Sequence, residues 1–462
     1  MKRLFQHTVI LLAAALLGGC SIYGRYSRPD DISTDGLFGE DVVAADTATI
    51  ANIAWRDFFT DPDLQALIEQ ALADNIDLKT AMLRIDEAEA ALKTARLSYC
   101  PSFSFAPQGS LSTYNFDGLN KNYQLPLNIS WDIDVAGRIF NRKNKARVAY
   151  EQSRVNVQYV RTRLIASVAN AYYTLLMLDS QLEISRTTAA NWKENVRIMR
   201  AMKEAGMTNE AAISQTEANR YAIETSLFDL RRQIRQVENS LSSILAAAPH
   251  SIRRGKLADQ KIREELLVGI PAQLLSNRPD VRGAELDLAQ AFYTTNLARA
   301  AFYPSLTLNG VLGWVNNNGS ALVNPGKFLL SFVGQLVQPI FNAGANRAQL
   351  KIAKSQQEQA KLAFTQALLD AGREVNDALE QCRTARDKTD ARRHQIAALE
   401  AAVNSTQQLM RHGDATYLEV LTAQQTLLQA QLSQIADRFE GIQGMINLYQ
   451  SLGGGSLDGG RE

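Results

Sequence analysis

The sequence predicts a mainly α-helical chain that is duplicated internally and that contributes four strands to a small membrane β-barrel. Three observations predict this fold class: landmarks that recur in both halves, long proline-free stretches rich in helix-forming residues, and segments in which apolar and polar residues alternate strictly. Each half is expected to contain one β-hairpin and one long helical hairpin.

Composition excludes several other classes of protein. Lys and Arg number 49 and Asp and Glu 48, so the chain lacks the excess of positive charge typical of a nucleic-acid-binding surface, and no nucleic-acid partner is predicted. A mean hydropathy of −0.19 excludes a polytopic helical membrane protein. The length of 462 residues would by itself suggest about three soluble domains.

The N-terminus has the layout of a secretory signal peptide over residues 1–19. Lys2 and Arg3 precede an apolar run that is too short to span a bilayer. Residues 17–20, Leu-Gly-Gly-Cys, resemble a bacterial lipobox, so Cys20 is predicted to carry a lipid that anchors the chain without a transmembrane helix. The alternative is a cysteine that follows a plain signal by chance. Ser21, in place of an Asp, favours the outer membrane by resemblance to enterobacterial lipoproteins.

Three landmarks occur twice in the same order. They are the segments 95–105 and 298–308, Gly137 and Gly344, and Gly206 and Gly413. The two segments stand 203 positions apart and the members of each glycine pair 207 positions apart, a pattern that is hard to obtain by chance. Each half is therefore predicted to repeat one architecture.

Long helices are predicted between the glycines. Gly137 to Gly206 and Gly344 to Gly413 each cover 69 positions without a proline, which as one helix would span roughly 100 Å. Each long helix is expected to turn at its second glycine into a return helix, at about 209–247 in the first half and about 416–452 in the second. Glycines at 453–455 end the last helix.

Strict alternation marks the strands. The pattern from Tyr123 to Ile133, with similar runs near 103, 308 and 330, predicts β-hairpins at 102–134 and 304–338. Strands of about ten residues with one apolar face are typical of transmembrane barrels. Pro126 is expected to need a bulge or a non-bonded position.

Four strands cannot close a barrel. Small barrels need about eight strands, and open edges are not tolerated in lipid. The chain is therefore predicted to be an obligate oligomer, in which two copies would supply eight strands and three copies twelve. The alternative is a soluble β-sandwich on a coiled coil.

No sequence motif for catalysis or metal binding is present. There are four His, and neither a His-Glu-x-x-His, a phosphate-binding Gly loop nor a Cys-x-x-Cys occurs. The carboxylates are spread along predicted helix faces, where solvation is the simplest interpretation. Cys100 and Cys382 are expected to be free, packed thiols, because they are predicted to lie too far apart to pair. We expect a conduit rather than an enzyme, with no metal site and no cofactor beyond the lipid on Cys20.

Methionines cluster near the predicted ends of the helical hairpins. They are Met199, Met202, Met207 and Met410. Thioethers are soft ligands that suit Cu(I), but methionine also fills irregular gaps between packed helices. Packing is the favoured interpretation, and a role in metal transport is the alternative.

Six segments resemble motifs of the TolC-like outer-membrane factors of tripartite pumps, of the NodT/OprM type. They are Trp55–Leu64, Asn75–Leu78, Trp131–Arg138, Asn277–Glu285, Pro339–Gly344 and Leu448–Gly455. The resemblance covers nearly the whole mature chain. It implies a homotrimeric lipoprotein, with a twelve-stranded β-barrel in the outer membrane of a Gram-negative bacterium and a twelve-helix α-barrel in the periplasm.

The expected organisation of the chain follows from the repeats and this resemblance. It comprises a signal peptide (1–19), a lipidated segment (20–60), a first repeat (61–249, with helical hairpin 137–247), an equatorial linker (250–277), a second repeat (278–455, with helical hairpin 343–452) and a tail (456–462).

The resemblance also implies a function and its partners. The chain would be a passive conduit that carries drugs or toxic small molecules from an inner-membrane pump of the RND type across the periplasm and outer membrane, with a periplasmic adaptor as a further partner. The alternatives are efflux of copper or silver, type I secretion, and a structural lipoprotein without a channel.

Site residues follow from the same resemblance. The segment 417–424 is similar to the family's periplasmic gate, which implies a constriction at Leu418 and an acidic ring at Glu419, while Thr422 stands where an Asp is usual. Cation selectivity is therefore left open. Adaptor contacts would fall at Gly206, Met207, Thr208, Gly413, Asp414 and Thr416. Turn geometry alone explains the two glycines equally well.

Overall fold

The structure is a computed structural model, which describes residues 23–29, 53–113, 120–260, 278–316 and 327–454. The predicted signal peptide, Cys20 and the tail 456–462 lie outside the described residues, as does most of the linker 250–277.

Helices dominate the described chain. In chain order they are α1 (Trp55–Phe58), α2 (Pro62–Asp74), α3 (Ile76–Leu97), α4 (Arg138–Glu204), α5 (Glu210–Ile244), α6 (Pro279–Ala300), α7 (Ala345–His412) and α8 (Tyr417–Ser451). The strands are β1 (Ser102–Phe105), β2 (Gln108–Ser112), β3 (Asn120–Ile133), β4 (Ser305–Asn316) and β5 (Lys327–Val337). Among the described helices, none combines the length and the apolar character needed to cross a membrane.

The landmark glycines mark the ends of the long helices. Gly137 (φ +68°) and Gly344 (φ +80°) directly precede α4 and α7, whereas Gly206 (φ +74°) and Gly413 (φ +84°) follow them. A positive φ is the left-handed conformation that glycine adopts without steric cost. The helices themselves contain 67 and 68 residues. The predicted fold class, two long helical hairpins with a small set of strands, is confirmed.

Two compact units make up the described chain. The first contains the described parts of Met1–Ile32, Met82–Val155 and Gly283–Gln366, including the whole sheet. The second contains the described parts of Ser33–Ala81, Asn156–Arg282 and Ala367–Glu462, including the two turns that follow the long helices α4 and α7.

The strands form one antiparallel sheet in the order β1-β3-β4-β5, with β2 beside β1 on the same side of β3. Its two hairpins have equivalent registers. Ser102 faces Ser130 in the first, and Ser305 faces Val337 in the second. Ser102 and Ser305 stand 203 positions apart and Ser130 and Val337 207 positions apart, so the hairpins repeat with the offsets of the sequence landmarks.

One face of the sheet is apolar across all four strand positions, because the registers align the alternating residues. Its members include Phe103, Phe105, Leu125, Leu127, Ile129, Trp131, Ile133, Leu306, Leu308, Leu312, Trp314, Phe328, Leu330, Phe332 and Leu336. Much of this face is exposed, for example Phe332 at 69%. The opposite face carries cross-strand polar pairs, such as Ser130, whose hydroxyl donates to Asn309 Oδ1 at 3.0 Å.

Pro126 lies in β3 without a bulge, since β1 and β2 share one register with β3. The backbone N–H of Ala106 donates to the Pro126 carbonyl at 3.2 Å, so this carbonyl and the Pro126 nitrogen, which carries no hydrogen, face the break between β1 and β2. On its other side Pro126 faces Gly313 in a non-bonded pair, which was the second expected solution. The strands approach so closely there that a Cβ on Gly313 would lie 2.1 Å from the carbonyl oxygen of Leu125.

Candidate functional site

The turns between the long helices and their return helices lie in the second unit. They and the start of α8 contain every site residue that the resemblance implied, except Cys20. We take the turn at 205–209 as the first tip and the turn at 413–416 as the second tip.

The first tip is a glycine-terminated helix end. The N–H of Gly206 donates to the carbonyl of Lys203 at 2.9 Å, and the N–H of Met207 donates to the carbonyl of Met202 at 2.8 Å. The bond from Met207 to Met202 spans six residues. This is the Schellman arrangement, which satisfies the last carbonyls of a helix.

The second tip repeats the first. Gly413 donates its N–H to the carbonyl of Met410 at 3.1 Å, and Asp414 donates to that of Leu409 at 2.9 Å. Turn geometry thus accounts for both glycines. The neighbouring side chains are what a partner could contact, and Met207 is 71% exposed.

The helices that follow the tips begin in different ways. At α5 the side chain of Asn209 accepts the N–H of Ala212 at 3.0 Å, a conventional N-cap. At α8 the hydroxyl of Thr416 donates to Glu419 Oε1 at 3.1 Å, and the N–H of Glu419 donates to the carbonyl of Thr416 at 3.1 Å. The Glu419 carboxylate is therefore held in the first helical turn, where the helix dipole favours negative charge.

The predicted gate residues share the exposed side of α8. Leu418 is 64% exposed, and Glu419 and Thr422 are also exposed, whereas Val420 and Leu421 between them are buried. The hydroxyl of Thr422 donates to the carbonyl of Leu418 at 2.9 Å, so it is turned back onto its own helix. A single chain thus presents an apolar residue, a carboxylate and a hydroxyl on one unpacked surface.

Ion pairs close the first helical hairpin near its tip but have no counterpart at the equivalent positions of the second. Arg200 pairs with Glu217, and Lys203 pairs with Glu210, joining α4 to α5. The hydrogen bond from the Lys203 ammonium holds the pKa of Glu210 below its ordinary value.

The equivalent positions of the second hairpin, 207 residues further on, are uncharged. They are Gln407, Gln424, Met410 and Tyr417. Gln424 instead accepts a hydrogen bond from Asn195 Nδ2 at 3.1 Å, which joins α8 to α4. The tip region of the second hairpin is therefore less tied to its own long helix by charge than that of the first.

The methionines near the tips lie in different environments. Met199 is fully buried, whereas Met207 is exposed within the first tip. Burial of a thioether between helices is what packing requires. Within the described ranges, no group of three or more His, Cys, Asp or Glu side chains is placed to hold a metal ion.

A partly buried ion network lies elsewhere in the second unit. Arg254 donates to Asp179 at 2.5 Å and to Glu238 at 2.7 Å, and Glu238 is only 4% exposed. Burial opposes the charge of Arg254, but the hydrogen bonds from its guanidinium to Asp179 and Glu238 outweigh it and raise its pKa. Because Arg254, Asp179 and Glu238 are separated in the sequence, no local sequence pattern predicted that they would pair.

Arg278 is a buried arginine beside a pocket of about 330 Å³. Its guanidinium donates to the carboxylates of Asp280 and Glu374, each at 2.6 Å, and to the carbonyl of Ser451 at 2.9 Å. The start of α6 is thereby joined to α7 and to the end of α8. Since its donors are occupied by the protein itself, we assign Arg278 a structural role.

Two sequence expectations are wrong in detail. Carboxylates were expected to be solvated, but Asp61, Glu238 and Asp437 are buried and bonded to polar partners such as Tyr172 for Asp61. Both Cys100 and Cys382 are free, as expected, but only Cys382 is packed, and Cys100 is exposed.

Comparison with known proteins identifies the family. The model of the family described as outer membrane efflux protein matches residues 67–247 and 270–454, which is most of the chain. The chain belongs to the outer membrane efflux protein family. The two matched segments correspond to the two repeats, and the predicted resemblance, the outer-membrane location and the role as an efflux channel are confirmed.

Individual relatives in this family cover almost the whole chain. The Escherichia coli O6:H1 cation efflux system protein CusC is 30% identical over 456 residues, which are 96% of this chain and 97% of the relative. The Pseudomonas putida probable efflux pump outer membrane protein TtgC is 29% identical, over 96% of this chain and 95% of the relative. The crystal structure of the open state of the Neisseria gonorrhoeae outer membrane channel MtrE aligns with a TM-score of 0.84 at 26% identity, over 94% of this chain and 98% of that one.

Proposed function

We propose that three copies of this chain form one closed channel, which carries small toxic molecules passively from an inner-membrane pump of the RND type, through a periplasmic adaptor, to the cell exterior. The observation that carries this proposal is the sheet, whose apolar face is largely exposed and whose two outer edges, β5 on one side and β1 with β2 on the other, are unpaired among the described residues. A lipid bilayer accepts such a sheet only when its edges are closed by other strands. Transport energy would come from the pump, so the channel itself needs neither catalysis nor a dissociable cofactor.

The gate is assigned to Leu418, Glu419 and Thr422. In a trimer each residue would occur three times around the axis, so that Leu418 forms an apolar constriction and Glu419 a ring of negative charge, which favours cations. The hydroxyl of Thr422 adds no charge and is bonded to its own helix. Support comes from the exposure of all three side chains beside the buried Val420 and Leu421.

Adaptor contact is assigned to the two tips, through Met207 and Thr208 in the first and Asp414 and Thr416 in the second. A Met207→Ala variant is expected to bind purified adaptor more weakly than the wild type, while the melting temperature of the variant stays unchanged. The reason is that an exposed thioether contributes contact area to an interface but little to folding. A matched control is Met199→Ala, at a buried position, which should lower the melting temperature. Unaltered adaptor affinity of the Met207 variant would contradict the assignment.

Anchoring is assigned to a lipid on Cys20, which lies outside the described residues. Cells fed labelled palmitate should yield a labelled wild-type chain and an unlabelled Cys20→Ser variant. A labelled Cys20→Ser variant would place the lipid elsewhere.

The test of the conduit is efflux in living cells. A deletion strain should accumulate a fluorescent dye, and the wild-type gene should restore export to the normal rate. Export should also depend on the cognate adaptor and pump, and both should co-purify with the chain. Normal export from the deletion strain would contradict the proposal and favour a structural lipoprotein.

A second candidate is the efflux of metal cations, which the similarity to the cation efflux system protein CusC supports. A deletion strain that loses copper or silver tolerance but exports dye normally would favour it. Replacing Met207 and Met410 by Leu should then reduce metal tolerance as well. If dye export falls and metal tolerance does not, these methionines serve only packing or contact. Loss of protein secretion alone would instead favour the type I secretion conduit.

A further inference from the structure

Two short segments join the strands to the long helices: residues 134–137, the first junction, and residues 338–344, the second junction. Positive charge follows both. The first thirteen residues of α4 (138–150) include five basic and no acidic residues, and the first thirteen of α7 (345–357) include three basic and no acidic residues. Asp134 accepts two backbone N–H groups of α4, at 2.8 and 3.0 Å, and caps the helix. Because the helix dipole opposes cations near an N-terminus, helix stability does not explain this charge.

Lys143 lies on the same side of the chain as the apolar face of the sheet. Trp131 belongs to that face near the end of β3, and its indole N–H donates to the carbonyl of Tyr99 at 2.9 Å. The ammonium of Lys143 lies 5.4 Å from the centre of the Tyr99 ring and 5.6 Å from that of the Phe140 ring. The first junction therefore has a cation among aromatic rings at the margin of an exposed apolar surface.

The second junction repeats this contact. The side-chain N–H of Gln338 donates to the carbonyl of Phe302 at 3.0 Å. These two residues are the repeats of Trp131 and Tyr99, at the offsets of 207 and 203 that relate the two halves. The equivalent side of the second junction can therefore be identified residue by residue.

Basic residues occupy this side of both long helices. Arg147 follows Lys143 by one helical turn, and Lys354 is the repeat of Arg147, 207 residues further on. Arg347 stands at the same offset from Phe140. Arg147, Arg347 and Lys354 are exposed. In the part of the chain that the structure describes, no carboxylate pairs with Lys143, Arg347 or Lys354.

We propose that Lys143 and Arg347 bind the phosphates of anionic phospholipids in the periplasmic leaflet of the outer membrane. The chain belongs to a family of that membrane and extends into the periplasm, so an apolar face that meets lipid ends at the periplasmic head groups. At 1.5 Å of rise per residue, Lys143 lies about 9 Å and Arg347 about 5 Å along the helix from the glycine that precedes it, within reach of these head groups. The inference does not depend on which solute the channel carries.

The charge balance favours phospholipids with a net negative charge over zwitterionic ones. A zwitterionic head group brings its own cation, which the basic residues repel. Lys354 and Arg147 lie about 15 Å along their helices from the junction glycines, close enough to add a screened attraction for an anionic surface, although Arg147 is also paired with Glu151 at 3.1 Å. The lipid expected at both junctions is therefore one of the phosphatidylglycerol type.

The experiment measures lipid selection by the full-length channel in phosphatidylcholine vesicles. Spin-labelled phosphatidylglycerol and spin-labelled phosphatidylcholine are compared by the fraction of each that the protein immobilises. Averaged over all lipid around the sheet, the wild type is expected to prefer phosphatidylglycerol about twofold, because only the junctions select. The double variant Lys143→Gln with Arg347→Gln is expected to bring this ratio close to one.

Two matched variants control for charge and for structure. Arg186→Gln with Lys193→Gln removes the same charge from exposed positions of α4 that lie more than about 70 Å beyond Gly137, so the ratio should stay at the wild-type value. Lys143→Arg with Arg347→Lys keeps the charge at the junctions and should also keep the ratio. If the double Gln variant does not assemble, the two single Gln variants replace it, and each should lose part of the preference.

Equal immobilisation of the two lipids by the wild type would overturn the proposal, and so would a wild-type ratio in the Gln variants. If these variants change the cation-to-anion permeability ratio and leave lipid selection intact, the cations act on the channel interior and the proposal is wrong. Conductance in planar bilayers should be the same for the wild type and the double Gln variant. A wild type that conducts without selecting lipid contradicts this inference alone, and the proposed channel stands.

Discussion

At the scale of single residues, the exposed side of α8 that carries the proposed gate is the most informative part of the molecule. Leu418 and Thr422 lie one helical turn apart, and Glu419 is held by the hydroxyl of Thr416 at 3.1 Å. The resemblance identified these positions, and the structure adds that they are exposed while their neighbours are buried. Residues that stay exposed in one chain are those that further copies can bring together.

Glu419 is predicted to set the ion preference of the channel. Replacing it by Gln should shift the cation-to-anion permeability ratio toward one. In a trimer the substitution removes three negative charges from around the channel axis while the shape of the side chain stays nearly the same. The measurement is the reversal potential in a salt gradient. Glu400→Gln, at another exposed carboxylate, should leave the ratio unchanged. A ratio that is identical for wild type and Glu419→Gln would contradict the assignment of Glu419 to the gate.

Cys382 is predicted to be unreactive in the folded chain. Burial raises the pKa of its thiol to about 11, so almost no thiolate is present at neutral pH. A maleimide should modify the exposed Cys100 at pH 8 and should reach Cys382 only after unfolding. Equal labelling rates of the two thiols in the folded protein would contradict this.

The same raised pKa makes a small contribution to stability depend on pH. The unfolded thiol, with a pKa near 9.0, loses its proton before the folded one. The contribution is therefore complete below about pH 9 and is lost as the pH rises toward 11. A Cys382→Ala variant should lack this part of the alkaline decline in the melting temperature.

At the scale of elements, the close crossing of β3 and β4 is the most constrained point of the sheet. Gly313→Ala should prevent correct pairing, because the new Cβ would lie 2.1 Å from a backbone oxygen that cannot move alone. The control is Gly109→Ala, whose Cβ would lie 4.0 Å from its nearest neighbour. Gel mobility of the unheated protein measures assembly, and normal assembly of the Gly313 variant would contradict the register at Pro126.

The elements that could be predicted from the sequence carry local signals. Alternation marks strands, and the glycines at positive φ mark where each long helix begins and ends. The short helices α3 and α6 were not predicted. In α3, Ile76 and Leu83 are exposed whereas Leu78 is buried. Apolar residues therefore lie on more than one side of this helix, and the sequence shows no one-sided apolar stripe. The Asp61–Pro62 pair, an N-cap followed by proline, was the available signal for α2.

The contacts that could not be predicted join distant parts of the chain. Asp179 and Arg254 are 75 residues apart in sequence, and Asn195 and Gln424 are 229 apart. A single sequence carries no pattern that pairs such residues. A glycine at a turn or the alternation of a strand can be recognised in the sequence because local backbone geometry requires it. The partners in a partly buried ion network depend instead on which segments the folded chain brings together.

At the scale of the whole molecule, two-faced strands and charged helices, each present in both repeats, explain how a chain of ordinary composition belongs to the outer membrane. The two matched segments of the family model fall on the two repeats. Half of each strand is apolar and half polar, and the long helices are rich in charge, so the mean hydropathy stays at −0.19. Among membrane proteins, composition therefore excluded only those built from apolar helices.

Copies of this chain are proposed to enclose a gated channel. Its most direct test is the current across a planar lipid bilayer after addition of the purified lipoprotein. We predict discrete conductance steps, small for the wild type and several-fold larger or more frequent after Leu418→Ala, because the constriction is widened. A bilayer that stays silent with the wild type, with Leu418→Ala and with Glu419→Ala would contradict the claim.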